Sequence, residues 1–260
     1  MRAYHTAVIQ YDIVNGNIQA NVNQALDTLD ELSEKGVSLA VLPEMFSCGF
    51  DNEHLEAHAE SSGDVLDILC RKAQEKGIAI SGSLPEAADG GIYNTAYFVD
   101  RDGRIKGSYR KLHLFRPTFE HRFYKAGRTL CVADTSLGKI GLATCYDLRF
   151  PELFRALMVK GAQLVLLGAQ WPKPRIEHWR ILVRARSVEN QCYMVCTNRT
   201  GQDKSLIFTG NSMITDPDGK VLADPLEIPG AGIARIDLDA LDTVRKNLPF
   251  LGDRRPDIYA

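Results

Sequence analysis

The chain has 260 residues, 45% hydrophobic and 25% charged, enough for a substantial core and without the biases that mark disordered, collagen-like or membrane proteins. Its 31 basic and 33 acidic side chains leave a net charge of −2, which lacks the basic excess of a general nucleic-acid or anionic-membrane binder. A small molecule or a second copy of the chain is therefore the expected partner.

The opening run His5 to Gln10 reads as a strand, and Asn17 to Lys35 carries Val22, Leu26, Leu29 and Leu32 at helical spacing, closed by Gly36. Val37 to Leu42 is a buried strand that ends at Pro43-Glu44, so a carboxylate stands at the C-terminal edge of a sheet, where open α/β folds bind ligands. A helix from about Asp64 to Lys76 and a strand at Ile78 to Leu84 follow. Tyr93 to Val99 and Arg104 to Tyr109 form a hairpin on Asp102-Gly103, and the second arm runs into Y-R-K-L-H-L-F, placing Lys111 at a strand end. Leu130 to Ala133 and Lys139 to Thr144 form another hairpin that delivers Cys145, and Pro151-Glu152 then opens a helix to Lys160.

The second half repeats this grammar. A strand at Leu164 to Leu167, a helix at about Glu177 to Asn190 and a strand at Cys192 to Thr197 precede a hairpin, Ser212 to Thr215 and Lys220 to Ala223, that turns on D-P-D-G. A strand at Ile233 to Ile236, a short helix at Leu238 to Asn247 and a surface arm at 249–260 complete the chain. The polar stretch Gln202 to Thr209 reads as a loop, either a lid or simply exposed. Helical crossovers mixed with hairpins predict an α/β fold of two mixed sheets packed face to face with helices outside. With no linker or low-complexity tract, one domain spanning 1–260 is expected.

The six cysteines lie in a chain too long and too apolar to need a disulfide framework, and none form a C-x-x-C pair. Cys192 and Cys196 fall on one face of a strand, as core packing requires. Met1 to Asp12 lacks a signal-peptide pattern, and no window approaches the ~18 apolar residues of a membrane span. A cytoplasmic protein is expected.

Cys145 sits where a strand gives way to a helix, a position that presents a side chain on rigid scaffold beside outward-pointing N–H groups. A cysteine attacks as its thiolate and needs a base or a cation nearby. None of the six histidines stands in a protease signature. Glu44 is suited to take the thiol proton and return it to a departing amine, and Lys111 with the Tyr146 N–H is suited to hold an oxyanion. No glycine-rich phosphate loop appears.

V-L-P-E-M-F, Y-R-K-L-H-L-F and C-Y-D-L-R-F-P-E resemble the three signatures of the nitrilase (carbon-nitrogen hydrolase) superfamily. The resemblance extends through W-P-x-P-R-x-x-H-W, A-R-x-x-E-N-Q and G-N-S-M-I-T-D-P-D-G-K-V. It implies an α-β-β-α sandwich that pairs with a second copy across its helical layer, and a Glu-Lys-Cys triad at Glu44, Lys111 and Cys145. It also implies a second glutamate after the lysine that orients the triad, matched by Glu120. By the same analogy Cys145 attacks an amide carbon, ammonia leaves, and water releases the acid from a thioester; no metal and no organic cofactor is then needed, which fits the absence of a clustered-ligand motif.

Within the superfamily, C-Y-D-L-R-F-P-E with H-L-F looks most like the ω-amidases, which cleave the terminal amide of short dicarboxylate monoamides such as 2-oxoglutaramate and 2-oxosuccinamate. Such a substrate needs a guanidinium for its carboxylate, and Arg149 is the family's counterpart. Its competing role is an ion pair with Asp147 or Glu152. Arg116-Pro117 stands where many ω-amidases carry an acidic residue, and W-P-K-P-R resembles a bacterial branch. Trp171 is a candidate pocket wall, and Arg116 and Arg175 are candidate second cations. The alternatives are superfamily branches acting on N-carbamoyl amines, aliphatic amides or nitriles, and a non-catalytic dimeric binding module.

Overall fold

The computed structural model describes residues 2–203 and 206–259; Met1, Lys204, Ser205 and Ala260 lie outside the described residues. The first half runs β1 (Ala3–Gln10), α1 (Ile18–Glu34), β2 (Val37–Val41), α2 (Leu55–Lys76), β3 (Ala79–Ala88), β4 (Gly91–Val99) and β5 (Ile105–Arg110). It is followed by β6 (Val132–Thr135), β7 (Gly138–Thr144), α3 (Pro151–Val159), β8 (Leu164–Ala169), α4 (Ile176–Asn190) and β9 (Tyr193–Asn198). The chain continues through β10 (Thr200–Asp203), β11 (Leu206–Thr209), β12 (Met213–Thr215), β13 (Val221–Ala223), β14 (Gly230–Asp237) and α5 (Leu238–Asn247).

Two six-stranded sheets result, ordered β14-β1-β2-β3-β4-β5 and β13-β12-β9-β8-β7-β6. In each, three parallel strands form the middle and antiparallel strands flank them. Parallel neighbours need long crossovers, here supplied by α1, α2, α3 and α4, whereas the edges close by tight turns. The inner faces share one core, in which Val8, Leu39 and Val41 of the first sheet meet Leu142, Leu164 and Leu166 of the second. Outside the first sheet, α1 turns Val22, Ala25, Leu29 and Leu32 onto Ala7, Ile9 and Ala40. Each such fully buried Leu or Val contributes roughly 1.5–3 kcal/mol. On the far side α3 and α4 cover the second sheet with Leu153, Leu157, Trp179 and Val183. The arrangement is the α-β-β-α sandwich.

The sheets touch most closely where β2 and β8 end. A Cβ at Gly168 would stand 2.8 Å from the Leu42 carbonyl oxygen and 3.1 Å from the Glu44 nitrogen. Only glycine lets β8 run this close, and the contact brings Gln170 beside Glu44.

Three expectations need correction. The second helix begins at Leu55, not near Asp64, because its first turns bury Leu55, His58, Ala59 and Ser62, a face with too few apolar side chains to show a period. The stretch Gln202 to Thr209 is mostly a β-hairpin, with Gln202 paired to Ile207 and Asp203 to Leu206; its Lys204 and Ser205 lie outside the described residues. Cys145 leads into a 3₁₀ turn, Cys145–Arg149, and the helix opened by Pro151 comes only afterwards. Cys192 and Cys196 are fully buried, in keeping with core packing. No helix among the described residues is long and apolar enough to cross a membrane.

Candidate active site

Three segments carry the titratable side chains to one point. β2 ends at Val41 and the chain turns through Leu42-Pro43 to Glu44, which is completely buried. β5 ends at Arg110, and the Lys111 N–H continues the ladder to the Asn94 carbonyl at 2.9 Å, so the lysine leaves a fixed strand end. β7 ends at Thr144 and delivers Cys145. Met45 (φ 48), Phe119 (φ 59) and Cys145 (φ 45) all adopt left-handed backbone. Such non-glycine conformations cost of order 1–3 kcal/mol each, and here they stand at the cysteine and beside the two glutamates.

Lys111 Nζ lies 2.8 Å from Glu44 Oε1 and 2.9 Å from each oxygen of Glu120. Glu120 also accepts the Phe115 N–H at 2.6 Å. Asn94 donates its Nδ2 to Glu44 Oε1 at 2.8 Å, and the Gln170 N–H donates to Glu44 Oε2 at 3.0 Å. Cys145 shares the cavity with Glu44, and each charge acts on the other's proton. Glu44, Lys111, Glu120 and Cys145 thus form one buried cluster.

Burial raises the Glu44 carboxyl above its ordinary value; Lys111 pulls it down, Glu120 pushes it up, and the rise prevails. Burial would by itself depress the Lys111 ammonium, but Glu120 and Glu44 outweigh it and hold the amine well above its usual range. The Cys145 thiol is pushed well up, first by burial and then by the Glu44 charge, against the opposing pull of Lys111. The lysine therefore stays a cation, and the proton shared by Cys145 and Glu44 lies between a reluctant acid and a base stronger than an ordinary carboxylate.

The turn under the cysteine is held by Asp147, a fully buried carboxylate. It accepts the Thr144 N–H at 2.9 Å, the Tyr109 hydroxyl at 2.7 Å and the His113 N–H at 3.1 Å, and it lies 2.8 Å from His113 Nδ1. The His113 ring stacks on Phe150 at 3.7 Å between centroids. Tyr146 follows the cysteine in this turn, its ring wedged between Phe115 and Phe150.

Cys145 opens onto two connected spaces. A cavity of about 220 Å³ contains Glu44, Lys111, Glu120 and Cys145 and is walled by Phe50, Asn52, Phe115, Thr118, Asp203, Leu206 and Phe208. The β10–β11 hairpin supplies the last three. A side branch of about 30 Å³, room for one small polar group, is bounded by Tyr146, Arg149, Trp171 and Arg175. The Arg149 guanidinium lies 4.7 Å from the Trp171 ring centroid and 3.4 Å from His178 Nδ1. Among the described residues no carboxylate pairs with it; Asp147, the expected competitor, is committed to Tyr109, His113 and Thr144. Trp171 is buried, its indole N–H held by the Arg175 carbonyl at 2.7 Å.

Arg175 is exposed, with its guanidinium 6.0 Å from the Phe115 ring centroid at the rim of the branch. Arg116 is not brought to this place: it lines a separate cavity of about 870 Å³, with Asp89, Tyr93 and Arg110, that contains no cysteine. Sequence reasoning passed over Asn94, Gln170, Arg199 and the aromatic Phe208. Gln170 donates its side-chain amide to the Glu44 carbonyl at 2.9 Å, and its oxygen accepts from Arg199 at 3.1 Å. Arg199, fully buried, also reaches Asp12 at 2.7 Å and lies over Phe208. No local pattern marks Arg199, which falls in the single residue between β9 and β10.

This arrangement is that of a hydrolase acting through a cysteine on a carbon–nitrogen bond. Residues 5–246 match the carbon-nitrogen hydrolase family, and the chain belongs to that family. It is 36% identical over 253 residues to a 2-oxoglutaramate amidase of Bacillus subtilis, covering 96% of this chain and 97% of that protein. An omega-amidase of Xenopus tropicalis is 32% identical over 271 residues, covering 100% and 98%. Among solved structures, a mutant of the Nesterenkonia sp. AN1 amidase superposes with a TM-score of 0.88 at 28% identity, covering 98% of this chain and 95% of that one. In it the acetamide moiety of fluoroacetamide is added covalently at the active-site cysteine.

Proposed function

We infer that the chain cleaves the terminal amide of short dicarboxylate monoamides of the 2-oxoglutaramate or 2-oxosuccinamate type. The observation that carries this reading is the Arg149 guanidinium, free of any described carboxylate, in a small branch beside Cys145. In this account the substrate carboxylate takes that position through charge-assisted hydrogen bonds, with Trp171 as wall and Arg175 as a second cation at the rim. The relatives named for 2-oxoglutaramate and omega-amide hydrolysis support the same substrate class.

Catalysis then proceeds in two halves. Glu44 takes the proton of Cys145 as the sulfur attacks the amide carbon, and Lys111 with the Tyr146 N–H stabilises the oxyanion. Glu44 returns the proton to the departing ammonia, leaving a thioester on Cys145. Water activated by Glu44 attacks the thioester and releases the acid. Glu120, bound to Lys111 through both oxygens, fixes the ammonium between the two carboxylates.

The whole chain acts as one catalytic unit, with residues 249–260 as an arm. Pairing of two copies across the helical layer is supported by the exposed apolar side chains Val159, Ile181 and Val188 on α3 and α4. Six cysteines held as free thiols suit a reducing, cytoplasmic compartment. The test of the substrate assignment is kcat/KM for 2-oxoglutaramate and for a neutral amide of equal length, in wild type and Arg149→Ala. A hydrogen-bonded charge is worth roughly 1.5–3 kcal/mol, about ten- to hundredfold. That loss should fall on the carboxylate substrate alone; equal losses on both would remove Arg149 from carboxylate recognition.

A further inference from the structure

We propose that Asp51, His54 and His58 form a binding site for a divalent transition-metal ion of the zinc, nickel or copper kind, outside the catalytic cluster. Asp51 Oδ2 lies 2.9 Å from His54 Nδ1 and 2.9 Å from His58 Nε2, and all three ligand atoms fall within 4.8 Å of one another. The histidines are four residues apart: His54 ends the 3₁₀ turn Asn52–His54 and caps α2, and His58 lies in the first turn of α2, so both imidazoles reach the Asp51 carboxylate.

The donor set selects the metal. Two imidazole nitrogens and one carboxylate oxygen suit zinc, nickel or copper, whereas magnesium and calcium prefer all-oxygen shells. Ligands about 2.0–2.1 Å from a tetrahedral zinc stand roughly 3.3 Å from each other, so the present edges at Asp51 need open by only a few tenths of an ångström.

Burial is graded across the site in the way an open coordination sphere requires. His58 is 8% exposed and Asp51 15%, while His54 is 68% exposed and leaves the outer side to water. Gly16 gives the carboxylate its seat, since a Cβ there would stand 2.8 Å from Asp51 Oδ2. Phe50 and Asn52, on either side of Asp51, wall the cavity that holds Cys145. A metal here therefore fastens one wall of that cavity to α2.

The experiment is a titration of the full-length protein with Zn²⁺ by calorimetry and with Co²⁺ by visible absorption, using wild type, His54→Ala, His58→Ala and Cys145→Ala. The expected result is one saturable equivalent, a Co²⁺ spectrum without a thiolate charge-transfer band, and at least tenfold weaker binding in either histidine variant. Cys145→Ala should bind as wild type does. Zn²⁺ should also raise the melting temperature of wild type and not that of His54→Ala, whose exposed side chain makes it the variant least exposed to folding defects. Absence of saturable binding, unchanged binding in His54→Ala, or loss of binding in Cys145→Ala would each overturn the proposal.

Discussion

Lys111 Nζ stands 2.8 Å from Glu44 Oε1, and each of the two side chains is only 1% exposed. With Glu120 on its other side, the ammonium is the single charge that lets two carboxylates be buried together. Removing one partner of such a group costs roughly 3–5 kcal/mol, because an uncompensated charge remains. Lys111→Met is therefore expected to lower the melting temperature strongly. Glu44→Gln keeps the Lys111 pair with Glu120 and should unfold near the wild-type temperature while losing about 10²–10⁴ in kcat. Calorimetry of the two variants checks the order; a Glu44→Gln protein less stable than Lys111→Met would contradict it.

The pH dependence follows from the raised Glu44 carboxyl. Its ordinary value is 4.5, and the folded state holds the proton to higher pH than the unfolded chain does. The folded state thus binds more protons above pH 4.5, and the Glu44 contribution to stability falls as pH rises through the folded value. The stability of wild type relative to Glu44→Gln should decline over that window. In the same range kcat/KM should climb on an acid limb whose midpoint lies above 4.5, as a macroscopic property of the Glu44–Cys145 pair. A limb centred at or below 4.5 in the pH–rate profile would show that no raised carboxyl governs the reaction.

Arg199 acts at a distance, through Gln170. Its planar fork reaches Gln170, Asp12 and the Ile13 carbonyl at once, a geometry that a lysine does not reproduce. Arg199→Lys is expected to lower kcat roughly ten- to hundredfold with little change in KM, since small displacements of a reacting group cost that much. A double-mutant cycle with Gln170→Ala should show coupling of about 0.5–3 kcal/mol. Additive losses would mean that the two side chains act separately.

Asp147 is a buried carboxylate serving Thr144, Tyr109 and His113. In Asp147→Asn one position becomes a donor and faces groups that are themselves donors. The expected cost is roughly 1.5–3 kcal/mol per bond lost to the charged acceptor, read by urea unfolding. Unchanged stability would show that the Cys145 turn holds itself.

The strand ends that carry Glu44, Lys111 and Cys145 were legible because short branched-apolar runs stop at Pro, at a basic cluster and at a polar turn. The α2 start was hidden, since His58, Ala59 and Ser62 do the burying there. Asp147, three residues after Thr144, carries the local sign of the 3₁₀ turn: its carboxylate takes the Thr144 N–H. Gln170 and Arg199 had no local sign, because the groups they serve lie 126 and 187 residues away, at Glu44 and Asp12. The β10–β11 hairpin was obscured by the polar side chains of Thr200, Gln202 and Asp203, which break the apolar alternation of a strand, and Asp203 lines the cavity.

The most direct test of the central claim is intact-protein mass spectrometry of an acid-quenched reaction with 2-oxoglutaramate, run beside ammonia release, in wild type and Cys145→Ala. The account predicts a wild-type adduct equal to the substrate less ammonia, located on Cys145, and neither adduct nor ammonia from the variant. Continued ammonia release by Cys145→Ala, or an adduct on a different residue, would contradict it.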